Sequence, residues 1–280
     1  MSLYTSVLKR VLVATDLPDH ADHAIERGLQ LAAAHAAELD VVHVMEEGLP
    51  PDAQAEITAT SEARVREKLA ASPLSENVPV TIGLVIGLAE TDIVERSVMT
   101  NADCIVLGLH DRLLPENLAI EGTLAETVIR SSKVPVLLVR NPADSAYRTV
   151  VVGIDLSPRS DAAIAAALLV APDATLHLVH AYEGGDEPDA LRSVETFIAA
   201  ERQVFERAAS QVGLPEIATR IAAKPGDPRD VLRNYVTGET ADLLVMSTHG
   251  RSGLSRSLLG SVTTDLINER LCDVLVLRTE

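Results

Sequence analysis

The chain has 280 residues, 47% of them hydrophobic and 23% charged, which is core material for two ordinary domains. With two Phe, four Tyr and no Trp, the interior has to be built from Val, Leu, Ile and Ala, as in sheets of buried parallel strands. Lys and Arg number 24 against 41 Asp and Glu, a net charge of −17, and this excludes a nucleic-acid backbone or an anionic membrane surface as the partner.

From the N-terminus, the first ten residues show no apolar stretch followed by a small-residue cleavage site. The longest apolar run, over residues 162–171, is too short to cross a bilayer. A cytoplasmic protein is expected. Short β-branched runs predict strands at 9–15, 40–46, 78–86, 103–109 and 135–140, and again at 148–154, 174–182, 217–224, 242–248 and 273–278. Between them, segments such as 22–37 and 190–211 carry apolar residues at three- and four-residue spacing, a helical pattern. Strands that are apolar almost throughout, alternating with helices, predict an α/β fold with a parallel sheet covered on both faces. Ligands of such sheets bind at the carboxyl ends of the strands, near the switch in strand order.

The same pattern is written twice. Lys9-Arg-Val-Leu-Val-Ala-Thr-Asp16 returns as Arg148-Thr-Val-Val-Val-Gly153-Ile154-Asp155, Ala102-Asp-Cys-Ile-Val-Leu-Gly108 as Ala241-Asp-Leu-Leu-Val-Met246-Ser247, and Val134-Pro-Val-Leu-Leu-Val-Arg140 as Cys272-Asp-Val-Leu-Val-Leu-Arg278, at offsets of 138 or 139. Two domains are predicted, 1–142 and 147–280, joined by the turn-forming stretch 141–146. Cys104 and Cys272 lie inside strand-like runs without ligand spacing and are expected to be buried free thiols.

In the second copy the loop after the fourth strand reads Met246-Ser247-Thr248-His249-Gly250-Arg-Ser-Gly-Leu-Ser-Arg-Ser-Leu-Leu-Gly260-Ser261-Val262-Thr263 and runs into a helix. Glycines admit close backbone approach, and a helix N-terminus offers free N–H donors at the positive end of its dipole, which is the chemistry of phosphate binding. A helix merely capped by Ser261 after a Gly-rich connection explains the same residues. The loop matches neither the P-loop nor the dinucleotide fingerprint.

The duplicated pattern, the Asp ending each first strand and this loop are similar to those of the universal stress protein family, across nearly the whole chain. The family's nucleotide signature is Gly, two residues, Gly, nine residues, Gly, then Ser or Thr; Ser247, Gly250, Gly260 and Ser261 match its spacing, with Ser in place of the first Gly. The resemblance implies two tandem, doubly wound, five-stranded parallel-sheet domains of the adenine-nucleotide alpha-hydrolase-like fold, related by a pseudo-twofold axis. It implies ATP, with or without Mg2+, in the C-terminal domain. The site it implies has Gly153, Ile154 and Asp155 at the ribose, Ala181 against adenine, and Met246, Ser247, Thr248, His249 and Gly250 along the nucleoside and phosphates. By the same resemblance Gly260, Ser261, Val262 and Thr263 are expected to form the phosphate turn. It further implies a nucleotide-dependent regulator or sensor with no catalytic residues, no metal held by side chains alone, an unidentified protein partner, and pairing through the last strands as an internal pseudo-dimer or a homodimer.

In the first copy Asp16, Val44, Gly108, Gly122 and Thr123 stand at matching positions, but Asp111 replaces the second signature Gly and ten residues separate it from Gly122. A non-Gly residue forced to positive φ costs about 1–2 kcal/mol, and a carboxylate about 4 Å from a phosphate costs about 4 kcal/mol at an effective dielectric of 20. Residues 1–144 carry 11 basic and 22 acidic side chains, a balance of −11, against 13 and 19, a balance of −6, in residues 145–280. The first domain is therefore expected to bind triphosphate weakly or not at all, while Asp16 and Val44 still fit an adenosine pocket. His43 and His180 are expected to pack within strand two, His110 and His249 to bond within loops, Asp19 and Asp22 to form a solvated acidic face, and Gly87 and Gly226 to allow turns. The acidic stretches 46–56 and 183–189 are expected to be solvated loops or, alternatively, flaps near the nucleotide site. No nucleophile elbow or paired acid and base is visible, so an enzyme is not indicated. The alternatives are a module that binds no nucleotide, either for protein interaction or for carrying a small apolar ligand, and, third, an adenylate-forming or nucleotide-hydrolysing enzyme on the same fold, whose catalytic motifs are absent here.

Overall fold

The computed structural model describes residues 7–17, 22–45, 47–48, 50–109, 123–184, 187–197, 199, 219–248 and 259–278. The chain divides into two compact units, with the break between Asp144 and Ser145. In the first, β1 (Arg10–Ala14), β2 (Glu38–Met45), β3 (Val80–Ile86), β4 (Cys104–Gly108) and β5 (Val136–Val139) alternate with α1 (His23–His35), α2 (Pro51–Ala70), α3 (Ala89–Met99) and α4 (Leu124–Ser131). Their order is β3-β2-β1-β4-β5, and every neighbouring pair is parallel. The second unit repeats this with β6 (Thr149–Gly153), α5 (Pro158–Val170), β7 (Thr175–Tyr182), a helix α6 over 187–197, β8 (Thr219–Pro225), α7 (Pro228–Gly238), β9 (Leu243–Ser247), α8 (Ser261–Glu269) and β10 (Asp273–Leu277). Its order is β8-β7-β6-β9-β10, again parallel. All ten strands lie within two residues of their predicted limits, because near-continuous apolar runs bounded by turn formers have few other stable outcomes.

The central strands are fully buried, among them Val11, Leu12, Val13, Ile105 and Val106 in the first unit and Val150, Val151, Val152, Leu243 and Val245 in the second. In both units the strand order reverses beside the first strand, between β1 and β4 and between β6 and β9, so the crevice expected of such sheets opens at Thr15–Asp16 and at Ile154–Asp155. Leu17 and Leu156, the next residues, take left-handed φ values of 54° and 59°, a conformation that costs an ordinary residue about 1–2 kcal/mol. The turn is the same in both units although their later loops differ.

Asp22 is no part of a solvated face. It is 3% exposed and caps α1, one carboxylate oxygen accepting from the Ile25 amide at 3.2 Å and the other from the Thr15 hydroxyl. An N-cap satisfies a donor the helix leaves unpaired, and here the same carboxylate also fixes the end of β1. Gly226 takes φ +129°, as its turn requires, whereas Gly87 has no such φ. A side chain at Gly87 would instead meet the Asp92 carboxylate 2.1 Å away.

The units differ at one interior position. On β2, Asp40 is buried and accepts two hydrogen bonds from Arg96 of α3, at 2.8 and 2.6 Å. The guanidinium lies 2.3 Å from where a Cβ on Gly83 of β3 would stand. The matching residues of the second unit are His177, Tyr235 and Ala222. There the imidazole and the phenol ring meet edge to face, with the His177 Nδ1 and the Tyr235 hydroxyl 3.3 Å apart. Burial pushes His177 below its ordinary pKa, against the opposing charge of Glu239. All three positions change together because the planar cation needs both its carboxylate and the space that Gly83 leaves.

Candidate functional site

In the second unit Gly153, Ile154 and Asp155, Ala181, and Met246 and Ser247 lie at the carboxyl ends of β6, β7 and β9. Gly153 ends β6, and a Cβ there would sit 3.1 Å from Leu232 of α7 and 3.7 Å from Met246 of β9, so the small residue keeps three elements in contact. Ile154 is buried, and its carbonyl faces Nδ1 of His180 at 3.0 Å. In the first unit Nδ1 of His43 meets the carbonyl of Thr15 at 2.8 Å in the same way. A carbonyl only accepts, so Nδ1 carries the proton in both rings. Each strand-two histidine therefore ties the loop holding the first-strand Asp to β2 or β7, a role beyond the strand packing expected of it.

Asp155 is half-buried. Its Oδ1 accepts from the Ser157 amide at 3.0 Å, the Ser157 hydroxyl at 2.6 Å and the Ser160 hydroxyl at 2.9 Å. Burial raises the carboxyl, but these hydrogen bonds outweigh it and hold Asp155 below its ordinary value. The other oxygen, Oδ2, is buried and has no hydrogen-bond partner among the described residues. A buried carboxylate oxygen in that state is an acceptor set for a hydroxyl donor. Ser157 and Ser160 were not singled out in the sequence; the spacing Asp155-Leu-Ser157-Pro-Arg-Ser160 at a helix start is the signal that finds them.

A group whose carboxyl is lowered on folding adds stability above its unfolded value, and that stability is lost as the pH falls through the folded one. The stability difference between wild type and Asp155→Asn is therefore expected to be full at neutral pH and to shrink once the pH drops below the ordinary 3.8. Urea unfolding of both proteins at pH 6 and pH 3, followed by circular dichroism, checks this; a constant difference contradicts it.

Gly260 and α8 form the other wall. The Gly260 amide donates to the Thr248 carbonyl at 2.9 Å, and a Cβ on Gly260 would lie 2.5 Å from that same oxygen. The Gly260 φ is −59°, so close approach, and not backbone freedom, requires the glycine here. Thr263 is buried and its hydroxyl donates to the Ser247 carbonyl at 3.3 Å, joining α8 to the end of β9. Ser261 is the first residue of α8 and does not cap it: the cap position is Gly260, without a side-chain hydrogen bond, and no acidic residue occupies the first turn. Val262 follows in that turn. The leading amides of α8 are thus left without a side-chain cap, the arrangement that binds anions. Ala181 lies near the end of β7, half-buried and in register with Lys224.

The first unit is built differently at this point. Thr123 caps α4, its hydroxyl accepting from the Glu126 amide at 3.3 Å, and Glu126 lies in the first turn, buried and 3.5 Å from Arg130. Glu126 occupies the position of Thr264, a substitution visible on aligning Gly122-Thr123-Leu-Ala-Glu126 with Gly260-Ser261-Val262-Thr263-Thr264, and sequence reading missed it. A capped N-terminus with its own carboxylate repels an anion. Asp16, Val44 and Gly108 instead line a cavity of about 150 Å3 with Ala14, Thr15, Val42, His43, Ala89, Ile93, Leu107 and Leu124. His249, Gly250, His110, Asp111 and Gly122 lie outside the described residues.

Both cysteines are free and buried. Burial, and next to it the adjacent Asp103 and Asp273, pushes their thiols up to about 12. No helix among the described residues is long and apolar enough to cross a membrane.

Comparison with known proteins agrees with the geometry. The universal stress protein family matches residues 8–140 and again 146–278. Universal stress protein Rv1636 of Mycobacterium tuberculosis is 33% identical over 146 residues, covering 48% of this chain and 99% of that protein. The crystal structure of a universal stress protein from Archaeoglobus fulgidus superposes with a TM-score of 0.74 over 99% of this chain and 98% of its own, at 22% identity, a likeness of fold. A universal stress protein solved in complex with cAMP aligns with 48% of this chain and 98% of its own, at 27% identity and a TM-score of 0.40. With the family matched twice across almost its whole length and the same five-stranded parallel sheet in each unit, the chain belongs to the universal stress protein family and carries two of its domains in tandem.

Proposed function

We propose that the chain binds ATP through its C-terminal domain and acts as a nucleotide-dependent regulator whose readout is a protein partner. The observation that carries this reading is the contrast between two equivalent helix starts. The first turn of α8 has neither a side-chain cap nor an acidic residue, whereas α4 has both. A polyphosphate is stabilised by the one and repelled by the other. The buried, unpartnered Oδ2 of Asp155 supports the reading, since a ribose hydroxyl is the donor it lacks. Gly153, Ile154, Ala181, Met246, Ser247 and Thr248 would surround the nucleoside, with His249, Gly250, Ser261, Val262 and Thr263 toward the phosphates. Mg2+ would arrive on the phosphates. Turnover forms no part of the reading, and the nucleotide is a signal and not a substrate.

The test is the nucleotide content of the purified chain, released by denaturation and identified by mass spectrometry, for wild type and Gly250→Asp. The substitution writes the first domain's Asp111 into the second domain. The expected result is about one adenine nucleotide per wild-type chain, held at the α8 N-terminus, and its loss in the variant. Wild type that neither carries nor takes up nucleotide refutes the reading.

A further inference from the structure

The N-terminal domain retains a cavity beside a capped helix start, and one edge of its surroundings, at Leu88, is apolar where the second domain has Asp227. The cavity of about 150 Å3 is lined chiefly by Ala14, Val42, Val44, Ala89, Ile93, Leu107 and Leu124, with Thr15, Asp16 and His43 on one side. Two of its polar groups are already engaged: the Thr15 hydroxyl with Asp22 and the Leu17 amide, and Nδ1 of His43 with the Thr15 carbonyl. Leu124 both lines the cavity and stands 42% exposed at the start of α4.

The turn from β3 to α3 shows the same bias. Leu88 occupies the cap position of α3, makes no side-chain cap and is 57% exposed; Ile86, on the far side of Gly87, is 40% exposed. In the second domain the same two positions are Asp227, which caps α7 by accepting from the Arg229 amide at 2.9 Å, and Pro225. Where α7 starts with a capping Asp, α3 has a solvent-facing leucine directly before Ala89, a cavity residue. Nothing in the fold itself rewards that exchange, because an uncapped helix is less stable and an exposed leucine gains no burial.

We infer that the N-terminal domain binds a small, uncharged, mainly apolar molecule of about one ring in size and excludes nucleotides. A cavity of about 150 Å3 with mainly aliphatic walls matches in volume one that accepts benzene. The capped α4 and the buried Glu126 reject a phosphate. This inference does not depend on nucleotide binding by the second domain, so either can fail alone.

The probe is fluorobenzene, observed by 19F NMR line broadening and shift on titration with the full chain, and compared among wild type, Ala89→Phe and Leu124→Asp. Phe at 89 fills the cavity from the first residue of α3. Asp at 124 puts a carboxylate on its wall at the exposed first position of α4, and circular dichroism checks that folding is retained. Saturable binding to wild type, lost in both variants while their circular dichroism stays unchanged, is the expected result. No saturable binding to wild type, or binding kept in Leu124→Asp, overturns the inference. So does displacement of the probe by ATP in the Gly250→Asp chain.

Discussion

Asp40→Ala is expected to destabilise the N-terminal domain by about 3 kcal/mol, the low end of what breaking a buried ion pair costs. Asp40 is 2% exposed and receives both arms of the Arg96 guanidinium. The substitution leaves that cation over Gly83 with its planar partner gone and, among the described residues, no second carboxylate bonded to it. Arg66→Ala serves as the comparison. It removes an ion pair with Glu62 whose side chains are 67% and 42% exposed, and such a pair is worth only about 0.3–0.5 kcal/mol. Urea unfolding followed by circular dichroism separates the two cases. Equal shifts from both variants would mean that solvent reaches the Arg96 pair as freely as it reaches the surface.

Gly260→Ala has the largest expected effect on the candidate site. The new methyl would stand 2.5 Å from the Thr248 carbonyl oxygen, closer than carbon and oxygen can approach. That oxygen accepts the Gly260 amide, and the neighbouring Ser247 carbonyl accepts the Thr263 hydroxyl. The end of β9 and the start of α8 must therefore separate, at a cost of about 1–3 kcal/mol, the range for inserting a methyl group into a packed interior. The amides of the α8 first turn move with it. Bound nucleotide is expected to fall to near zero in the mass-spectrometric assay while the N-terminal domain keeps its own unfolding transition. A variant that retains wild-type nucleotide would show that the α8 turn plays no part in binding.

How far the sequence reveals these features depends on the range of the interaction. The strands were legible because apolar runs such as Val150–Val152 and Leu243–Val245 need no partner to identify them. Repetition supplied the rest of the architecture. The Asp155 carboxylate and the unlike helix starts rest on neighbours a few residues apart, and the second copy highlights where the first departs, whereas the Gly260 turn reaches back to Thr248 and Ser247 across the loop. Asp40, Arg96 and Gly83 could not be joined in that way, because 56 positions separate the carboxylate from the cation and each alone looks like an ordinary strand or helix residue. Asp22 misled for a related reason. Its acidic neighbourhood suggested solvent, and only the fold brings Thr15 against it.

The two cysteines give the protein a built-in clock for each half. The sequence holds two, one on β4 of the first unit and one directly before β10 of the second. Both are 1–2% exposed, with thiols raised to about 12. Thiolate is the reactive form, so in the closed state a mild alkylating reagent finds neither. Modification then waits for a unit to open, and peptide mapping of the labelled sulfur tells which one opened. The rate at Cys104 reports the apolar-cavity domain and the rate at Cys272 the nucleotide-signature domain, within one unmodified chain. ATP should slow the second clock and leave the first running at its own pace, since a ligand stabilises only the state that binds it.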